Sequence, residues 1–366
     1  MEFYATLPPG IEDIAAKEVE TLDGRITELR EGKGRIFFSA PKKLIPRFNA
    51  QLRCVERVVV LIDRGKFRTL DDIYRVVKSH DYGFIRGKSF AVRSVRAGVH
   101  DFTSLDVARI AGQAVIDSCL EAYGERLRVD LNDPDVIVRV DVVDDEFFIG
   151  IDTTGEGLHK RWWRVYNHPA HLNATIACAM LELAGWNEEK SLVDPMCGSG
   201  TIPIEAALKG RNVSPGKNRE FAYFRLCGKV VELSEENDRV MEITGVEKFR
   251  KHLEGARANA VSAGVADTVE FNLGDATKLE GEYDCIVTNP PYGLRIARKG
   301  VIKRLYEKFC EAAKRCMHGD SKLVVITSEF GIMRRAIEKA GLNLEHERFV
   351  KYGGLLTKIF VAGKKS

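Results

Sequence analysis

The tetrapeptide Asn289-Pro290-Pro291-Tyr292 contains residue types that can act on a planar amine. An exocyclic aryl NH2 group is a poor nucleophile because its lone pair is delocalised into the ring. The Asn289 side-chain oxygen and the Pro290 carbonyl can accept its two hydrogens, and the Tyr292 ring can stack on the base. We therefore expect Asn289, Pro290 and Tyr292 to be catalytic residues for methyl transfer to such an amine.

The residues before the tetrapeptide indicate where it lies in the fold. The apolar run 283–288 predicts a buried strand. Two prolines without N–H groups cannot continue a strand ladder, so the chain must leave the sheet at this point. Open α/β sheets bind ligands at the carboxyl ends of their strands, which is where Asn289 is expected. Taken alone, the tetrapeptide would fit a plain turn equally well.

A glycine-rich turn follows another predicted strand, in the segment 191–201. Gly198 and Gly200 permit positive φ angles and close backbone approach to a ligand, and the following helix start offers unpaired N–H groups. The Gly-x-Gly-x-x-Gly pattern of a nicotinamide site is missing, because Ile202 and Pro203 follow Thr201. The loop is thus a candidate ligand site of another kind.

Acidic residues stand at the ends of successive predicted strands. Asp194 ends the strand before the glycine turn, Glu247 ends the strand 241–247, and Asp275 ends a third strand that begins at Val269. Glu247 can take two ribose hydroxyls, as the acid of dinucleotide folds does, and Asp275 can accept from an adenine amino group. The long spacing between the glycine loop and Glu247 predicts that residues 210–240 are an insertion.

A segment rich in polar residues precedes a predicted apolar helix over 176–184. His168 and His171 are too few for a metal site and have no Cys or carboxylate partners at useful spacing, so we expect no metal. Asn173 and Thr175 are candidates to contact a cofactor. A plain N-capped helix is the alternative interpretation of the same pattern.

The motifs are similar to those of known enzymes. Asp194-Pro195-Met196-Cys197-Gly198-Ser199-Gly200-Thr201 resembles the first motif of adenosylmethionine-dependent methyltransferases, and the tetrapeptide resembles the [Asn/Asp/Ser]-Pro-Pro-[Tyr/Phe/Trp] of amino-methyltransferases. The resemblance implies S-adenosyl-L-methionine as the cofactor. The residues it assigns to cofactor binding are Asn173, Thr175, Asp194, Met196, Cys197, Gly198, Gly200, Thr201, Glu247, Asp275, Ala276 and Asn289.

The first 150 residues have no place in that sheet and predict a small α+β pattern. Their strands and helices, including Phe90-Ala91-Val92-Arg93 before a long helix, resemble the THUMP domain. The expected fold class is α/β: a C-terminal Rossmann-like seven-stranded methyltransferase sheet preceded by a small α+β N-terminal module, ferredoxin-like plus THUMP. The expected divisions are a ferredoxin-like domain over 1–50, THUMP over 51–152, a linker over 153–165 and the methyltransferase domain over 166–366.

Charge is segregated along this chain of 366 residues, although the net charge is only +3. Basic residues outnumber acidic ones by eleven to five over 51–100 and by eight to two over 295–315. Such runs are commonly solvated helix faces, but one of them adjoins the tetrapeptide, which favours a nucleic-acid surface. The expected RNA-binding residues are Arg93, Arg96, Arg295, Arg298 and Lys299.

Composition also bounds the location. The chain has eight cysteines without a Cys-x-x-Cys pair, as expected of reduced thiols in the cytoplasm. No stretch approaches the roughly 20 apolar residues needed to span a bilayer, and the first ten residues do not resemble a signal peptide. We therefore expect a cytoplasmic protein without a membrane partner.

Both halves together resemble the THUMP-containing RNA guanine-N2 methyltransferases of tRNA or ribosomal RNA. Relatives that modify guanosine-10 carry Asp at the first tetrapeptide position, so Asn289 favours the group that acts on guanosine-6 of the tRNA acceptor stem. The resemblance implies formation of N2-methylguanosine, contact with the acceptor stem and 3′ CCA end, and a monomer. A 23S rRNA guanine-N2 methyltransferase and a catalytically silent THUMP RNA-binding protein stay open. DNA and glutamine-amide acceptors also occur with this tetrapeptide, but the THUMP-like half argues against both.

Overall fold

The computed structural model describes residues 1–293 and 299–364, with the Lys299 side chain excepted. Of the expected RNA-binding residues, Arg295 and Arg298 lie outside the described residues, and so does the side chain of Lys299.

The N-terminal half forms one sheet with helices on one face. Its strands run in the order β2-β3-β1-β4-β9-β8-β5-β7, and β6 pairs with β8. The strands are β1 (Glu2–Thr6), β2 (Arg25–Arg30), β3 (Arg35–Ser39), β4 (Arg57–Lys66), β5 (Ser89–Arg93), β6 (Arg96–Ala97), β7 (Arg128–Val129), β8 (Val136–Val143) and β9 (Glu146–Asp152). The helices are α1 (Glu12–Thr21), α2 (Ile45–Gln51), α3 (Leu70–Lys78) and α4 (Ser104–Tyr123).

The sequence of β8 shows why this sheet has two different faces. Val138 and Val140 alternate with Arg139 and Asp141, and side chains of a strand alternate between faces. The valines join the apolar core with α3 and α4. On the other face Arg139 donates a 2.8 Å hydrogen bond to Asp141, so the buried charges there are paired.

Strand β4 links the ferredoxin-like and THUMP parts. It pairs antiparallel with β1 on one side and with β9 on the other. The two parts consequently share one continuous sheet, and the expected boundary between residues 50 and 51 falls just before this shared strand. That boundary stays a prediction.

The C-terminal half forms a seven-stranded sheet in the order β12-β11-β10-β13-β14-β16-β15. The strands are β10 (Leu192–Asp194), β11 (Ile243–Glu247), β12 (Val269–Leu273), β13 (Cys285–Thr288), β14 (Lys322–Thr327), β15 (Leu342–Tyr352) and β16 (Leu355–Lys364). The helices are α5 (Ala174–Leu183), α6 (Thr201–Gly210), α7 (Phe224–Cys227), α8 (Arg250–Ala263), α9 (Lys299–Arg315) and α10 (Phe330–Lys339). The first five strands in this order are parallel, while β16 runs antiparallel to β14 and β15. The predicted fold class is confirmed.

The strand order brings the candidate residues together. Strand β10 lies between β11 and β13, where the direction of winding changes. Parallel strands end at the same edge of a sheet, so Asp194, Glu247 and Asn289 all lie at or just beyond that edge. This switch point is the position at which open α/β sheets bind their ligands.

The predicted insertion lies against the N-terminal half. The Gly216 N–H donates a 2.8 Å hydrogen bond to the Ala50 carbonyl, and the Tyr223 N–H donates a 3.2 Å bond to that of Thr153. A Cβ at Gly216 would lie 2.7 Å from the Ala50 Cα, so only glycine permits this approach. The insertion therefore connects the two halves.

A buried ion pair also joins the halves. Arg161 donates a 2.8 Å hydrogen bond to Glu205 on α6 and a 3.0 Å bond to the Arg53 carbonyl. Neither charged side chain is exposed to solvent. Burial alone would raise the pKa of Glu205, but Arg161 holds that pKa below its ordinary value. Residues of both halves share one apolar cluster around this pair.

Candidate active site

The glycine loop adopts backbone conformations that favour glycine. Gly198 and Gly200 have φ angles of +54° and +79°, which L side chains rarely adopt. A Cβ at Gly200 would lie 2.9 Å from the Phe271 ring and 3.2 Å from the Ala256 Cβ. Gly200 therefore lets the loop pack tightly against β12 and α8, and α6 begins at the next residue, Thr201.

Asp194 connects the glycine loop to the acceptor strand. Its Oδ1 accepts a 2.7 Å hydrogen bond from the Thr288 hydroxyl and a 3.2 Å bond from the Met196 N–H. Thr288 immediately precedes Asn289, so one carboxylate links both motifs. Burial raises the pKa of Asp194 to about 7. The geometry thus assigns Asp194 a role in aligning the two motifs.

Glu247 lies where a ribose-binding acid is expected. Its two oxygens accept hydrogen bonds from the Gly198 N–H at 3.0 Å and the Phe249 N–H at 2.9 Å. Each carboxylate oxygen has a second lone pair that a hydroxyl could use. The acid and the unsubstituted backbone of Gly198 therefore fit the nucleoside part of S-adenosyl-L-methionine, although Glu247 as a cofactor ligand stays a prediction.

Asp275 already has partners on both oxygens. Oδ1 accepts from the Thr277 N–H at 3.0 Å and the Thr277 hydroxyl at 2.8 Å, and Oδ2 accepts from Lys248 at 2.9 Å. The Thr277 N–H and Lys248 lower the pKa of Asp275 to about 2. Only Oδ2, beside an exposed lysine, has spare capacity to accept from an adenine amino group. Ala276, its buried neighbour, begins the short turn that Asp275 caps.

Asn173 has the capping role that its sequence context also allowed. Its Oδ1 accepts from the Thr175 N–H at 2.9 Å and the Thr175 hydroxyl at 2.8 Å at the start of α5. Its amide donates a 3.0 Å hydrogen bond to Glu56 of the N-terminal half. The side chains of Asn173 and Thr175 are both buried. These partners favour a structural role for the pair, and contact with a cofactor stays a prediction.

The acceptor tetrapeptide begins immediately after β13. The Tyr292 hydroxyl donates a 2.6 Å hydrogen bond to the Asn289 Oδ1. Asn289 is half-buried and Pro290 is buried. Burial raises the pKa of Tyr292, so its hydroxyl keeps its proton. The tetrapeptide therefore offers a fixed amide oxygen beside an aromatic ring.

Two polar residues that sequence reasoning missed hold the glycine loop. Arg164 donates to the hydroxyls of Ser199 at 3.3 Å and Thr201 at 3.1 Å. Asn259, fully buried on α8, donates a 3.0 Å hydrogen bond to the Ser199 carbonyl. An asparagine in the middle of a helix is a weak sign of such a role, because helix interiors disfavour it.

Asn259 also fastens the segment before α5. Its Oδ1 accepts from the backbone N–H groups of Val165 at 2.9 Å and Tyr166 at 2.8 Å. Further along this segment the His168 ring packs on the His252 ring, with 4.2 Å between centroids. A Cβ at Gly198 would meet the His168 ring at 3.7 Å, so this segment lies beside the glycine loop.

Two expected RNA-binding residues lie in the N-terminal half. Arg93 is exposed and donates to the Leu131 carbonyl. Arg96 donates a 2.9 Å hydrogen bond to the Gly98 carbonyl and contacts His100 at 3.2 Å. Among the described residues, the side-chain partners of these two arginines are backbone carbonyls and a histidine ring, which carry no negative charge. Their positive charges are therefore available to a polyanion.

Residues 1–293 and 299–364 contain neither a candidate metal site nor a candidate membrane span. No group of three or more His, Cys, Asp or Glu side chains there could hold a metal ion. None of the helices in those ranges combines the length and apolar character that crossing a membrane requires.

Three families match successive parts of the chain. The RlmL ferredoxin-like domain matches residues 2–59, and the THUMP domain matches residues 67–152. The RMKL-like methyltransferase domain matches residues 161–358, more than half of the chain.

Relatives match over nearly the whole length. A tRNA (guanine(6)-N2)-methyltransferase of Archaeoglobus fulgidus is 61% identical over 99% of this chain and 92% of its own. One of Methanocaldococcus jannaschii is 48% identical over 98% of this chain and 99% of its own. A crystal structure of a possible methylase from Clostridium difficile 630 superposes with a TM-score of 0.87 at 29% identity, covering 100% of this chain and 98% of that one. The chain therefore belongs to the family of methyltransferases in which an RMKL-like methyltransferase domain follows a THUMP domain.

Proposed function

We propose that this enzyme transfers a methyl group from S-adenosyl-L-methionine to the N2 amine of a guanosine in tRNA, at position 6 of the acceptor stem. The observation that carries the proposal is the 2.7 Å hydrogen bond between Thr288 and Asp194, which connects the acceptor tetrapeptide with the glycine loop. The names of the Archaeoglobus and Methanocaldococcus relatives support the choice of tRNA and of guanosine-6.

The cofactor-binding residues in this proposal surround the glycine loop. Bound S-adenosyl-L-methionine would supply a sulfonium methyl group, the electrophile of the reaction. Glu247 would take the ribose hydroxyls and Asp275 the adenine amino group, while the backbone of Gly198 leaves room for the ligand. Asp194 would hold the loop in register with the acceptor strand.

The acceptor residues act on the amine. Guanosine-6 must leave its base pair to expose N2, which costs a few kcal/mol. The Tyr292 ring would then stack on the base. The Asn289 and Pro290 oxygens would accept the two hydrogens of N2 and stabilise the positive charge that develops on nitrogen as the new C–N bond forms and the methyl–sulfur bond breaks. N2 would then lose one proton to water, which leaves a neutral N2-methylguanosine. An amide oxygen has two acceptor positions, so Asn289 can keep its bond to Tyr292 while it binds the amine.

The N-terminal module would bind the tRNA. Arg93 and Arg96 are its proposed phosphate contacts, with Arg295, Arg298 and Lys299 next to the tetrapeptide. In this proposal the THUMP domain over 51–152 holds the 3′ CCA end. The other proposed divisions are the ferredoxin-like domain over 1–50, the linker over 153–165 and the methyltransferase domain over 166–366.

The decisive experiment measures transfer of labelled methyl groups to unmodified tRNA transcripts, followed by nucleoside analysis. N2-methylguanosine is expected. The matched control is a transcript with inosine at position 6, because inosine lacks the N2 amine and should accept no methyl group there. Transfer to 23S rRNA instead would favour the ribosomal alternative, and cofactor binding without transfer to any RNA would favour a silent RNA-binding protein.

The enzyme is further proposed to act as a monomer in the cytoplasm. All eight cysteines are free in the structure and seven of them are buried, as suits a reducing compartment. Light scattering during gel filtration tests the monomeric state, since a mass near 41.0 kDa is expected of a monomer. Fractionation of the source cells tests the cytoplasmic location.

A further inference from the structure

Tyr306 lies between the acceptor tetrapeptide and the neighbouring strand. This residue of α9 is fully buried. Its hydroxyl lies 3.0 Å from the Pro291 carbonyl oxygen and 2.8 Å from the hydroxyl of Thr327, the last residue of β14. The Thr327 oxygen in turn accepts a 3.0 Å hydrogen bond from the Glu329 N–H.

Only one arrangement of protons satisfies all three contacts. The Pro291 carbonyl can only accept, so Tyr306 must donate its single hydroxyl proton there. Thr327 must then donate its own proton to the Tyr306 oxygen, while the Thr327 oxygen accepts from the Glu329 N–H. Burial raises the pKa of Tyr306, which keeps the donated proton on the hydroxyl. The result is a one-way chain of hydrogen bonds that ends on the tetrapeptide.

The two prolines make this anchor necessary. Pro290 and Pro291 have no N–H groups, so at these residues the tetrapeptide backbone can be held only through its carbonyls. In the proposed reaction the Pro290 carbonyl accepts a hydrogen of the substrate amine. The Pro291 carbonyl is then the one left to hold the loop, and it is the one that Tyr306 binds.

We propose that Tyr306 and Thr327 are positioning residues that fix the tetrapeptide backbone, so that Asn289 and the Pro290 carbonyl point at the acceptor amine. This inference rests on the proposed function. Neither side chain needs to touch the RNA or the cofactor for this role. A displacement of about 1 Å at reacting groups can slow a reaction about 100-fold, so loss of the anchor should appear mainly in the rate of transfer.

The test is single-turnover methyl transfer at saturating tRNA and S-adenosyl-L-methionine. Tyr306→Phe should slow transfer by about 10-fold to 100-fold and leave cofactor affinity unchanged. Thr327→Val should slow it less, because the Tyr306 bond to Pro291 survives, and Thr327→Ser should restore the wild-type rate. The double variant Tyr306→Phe with Thr327→Val should be no slower than Tyr306→Phe, since both act through one chain of contacts.

Tyr82 offers a matched control. It is also fully buried, and its hydroxyl donates a 3.0 Å hydrogen bond to the Val77 carbonyl in the N-terminal half. Tyr82→Phe should also lower the melting temperature, though by less than Tyr306→Phe, because it loses one buried hydrogen bond where Tyr306→Phe loses two. Its single-turnover rate should equal that of the wild type.

The outcomes separate the two proposals. Wild-type transfer together with an unchanged rate in Tyr306→Phe would overturn the positioning role and leave the proposed function standing. Equal slowing in Tyr82→Phe would also overturn it, since a general loss of stability would then explain the effect. Failure of the wild-type enzyme to methylate tRNA would overturn both.

Discussion

The Tyr292 hydroxyl and the Asn289 side-chain oxygen are joined by a 2.6 Å hydrogen bond. The bond connects the first and last residues of the acceptor tetrapeptide and fixes the rotation of the Asn289 amide. The oxygen that would accept from a substrate amine is thus oriented before any substrate arrives. Such preorganisation avoids reorganisation during the reaction.

Asn289→Ala should lower the rate of methyl transfer by about 100-fold or more, the scale of losing one preorganised partner of a developing charge. Cofactor affinity should fall far less than the rate, because the proposed main role of the amide is to bind the acceptor amine. Isothermal titration beside single-turnover kinetics measures both quantities. Asn343→Ala, at an exposed position on β15, is the control and should change neither. Equal losses of affinity and rate in Asn289→Ala would contradict the catalytic role.

Glu247→Ala should weaken S-adenosyl-L-methionine binding by about 1 to 3 kcal/mol, since it removes a largely buried hydrogen-bond acceptor and frees the Gly198 N–H. Isothermal titration gives the affinity directly. Glu270→Ala, an exposed carboxylate on β12, is the control. An unchanged affinity in Glu247→Ala would show that the ribose is held elsewhere.

Charge reversal at Arg93 and Arg96 together should flatten the salt dependence of tRNA binding. Each lost phosphate contact lowers the slope of log K against log salt by about 1, so a decrease of about 2 is expected. Binding isotherms across a salt series provide the slopes. Reversal at Arg25 and Arg109, two exposed positions of the same module, changes net charge equally and should leave the slope near that of the wild type. Identical slopes in both double variants would refute the assignment.

Asp194→Asn should change how stability depends on pH. Burial raises the pKa of Asp194 from 3.8 to about 7, so the folded protein binds this proton more tightly than the unfolded chain does. In the wild type this group's contribution to stability consequently falls as pH rises from about 4 to about 7. Asparagine has no such titration, so the stability of the variant relative to the wild type should rise across that range. Urea unfolding of the ligand-free proteins at several pH values tests this, and a constant difference would contradict it.

Glu205→Gln should destabilise the protein by about 3 to 5 kcal/mol, because it leaves the Arg161 charge buried without its partner. Denaturant unfolding measures the loss. Glu156→Gln breaks the exposed pair with Lys160 and is the control, with little change expected. A loss in Glu205→Gln no larger than in this control would mean that the buried pair contributes little to joining the halves.

The sequence was sufficient to locate those parts of the candidate site that depend on local chain geometry, while their roles stay predictions. Asn289 is recognisable because it directly follows a strand whose apolar run is visible in the sequence, and Gly198 and Gly200 because they lie in the turn between such a strand and a helix. The starts of α3 and α4 are local features as well, because Thr69 and Thr103 each cap their helix together with the Asp three residues later.

Contacts between distant residues could not be predicted in this way. Asn173 binds Glu56, which lies 117 positions away in the sequence. Arg161 similarly binds Glu205. Tyr306 and Thr327 are an ordinary helix aromatic and a strand-end threonine until the fold places them beside Pro291. Such roles depend on tertiary packing, which no local pattern encodes.

The ion pair of Arg161 and Glu205 bears on how such proteins could be recombined. Glu205 lies on the helix that begins at the glycine loop, and Arg161 also binds the Arg53 carbonyl in the other half. A chimera that joined this N-terminal module to a foreign catalytic domain would bury a guanidinium opposite whatever residue replaced Glu205. Exchange of modules should therefore succeed only where the foreign catalytic domain has an acid at the position of Glu205.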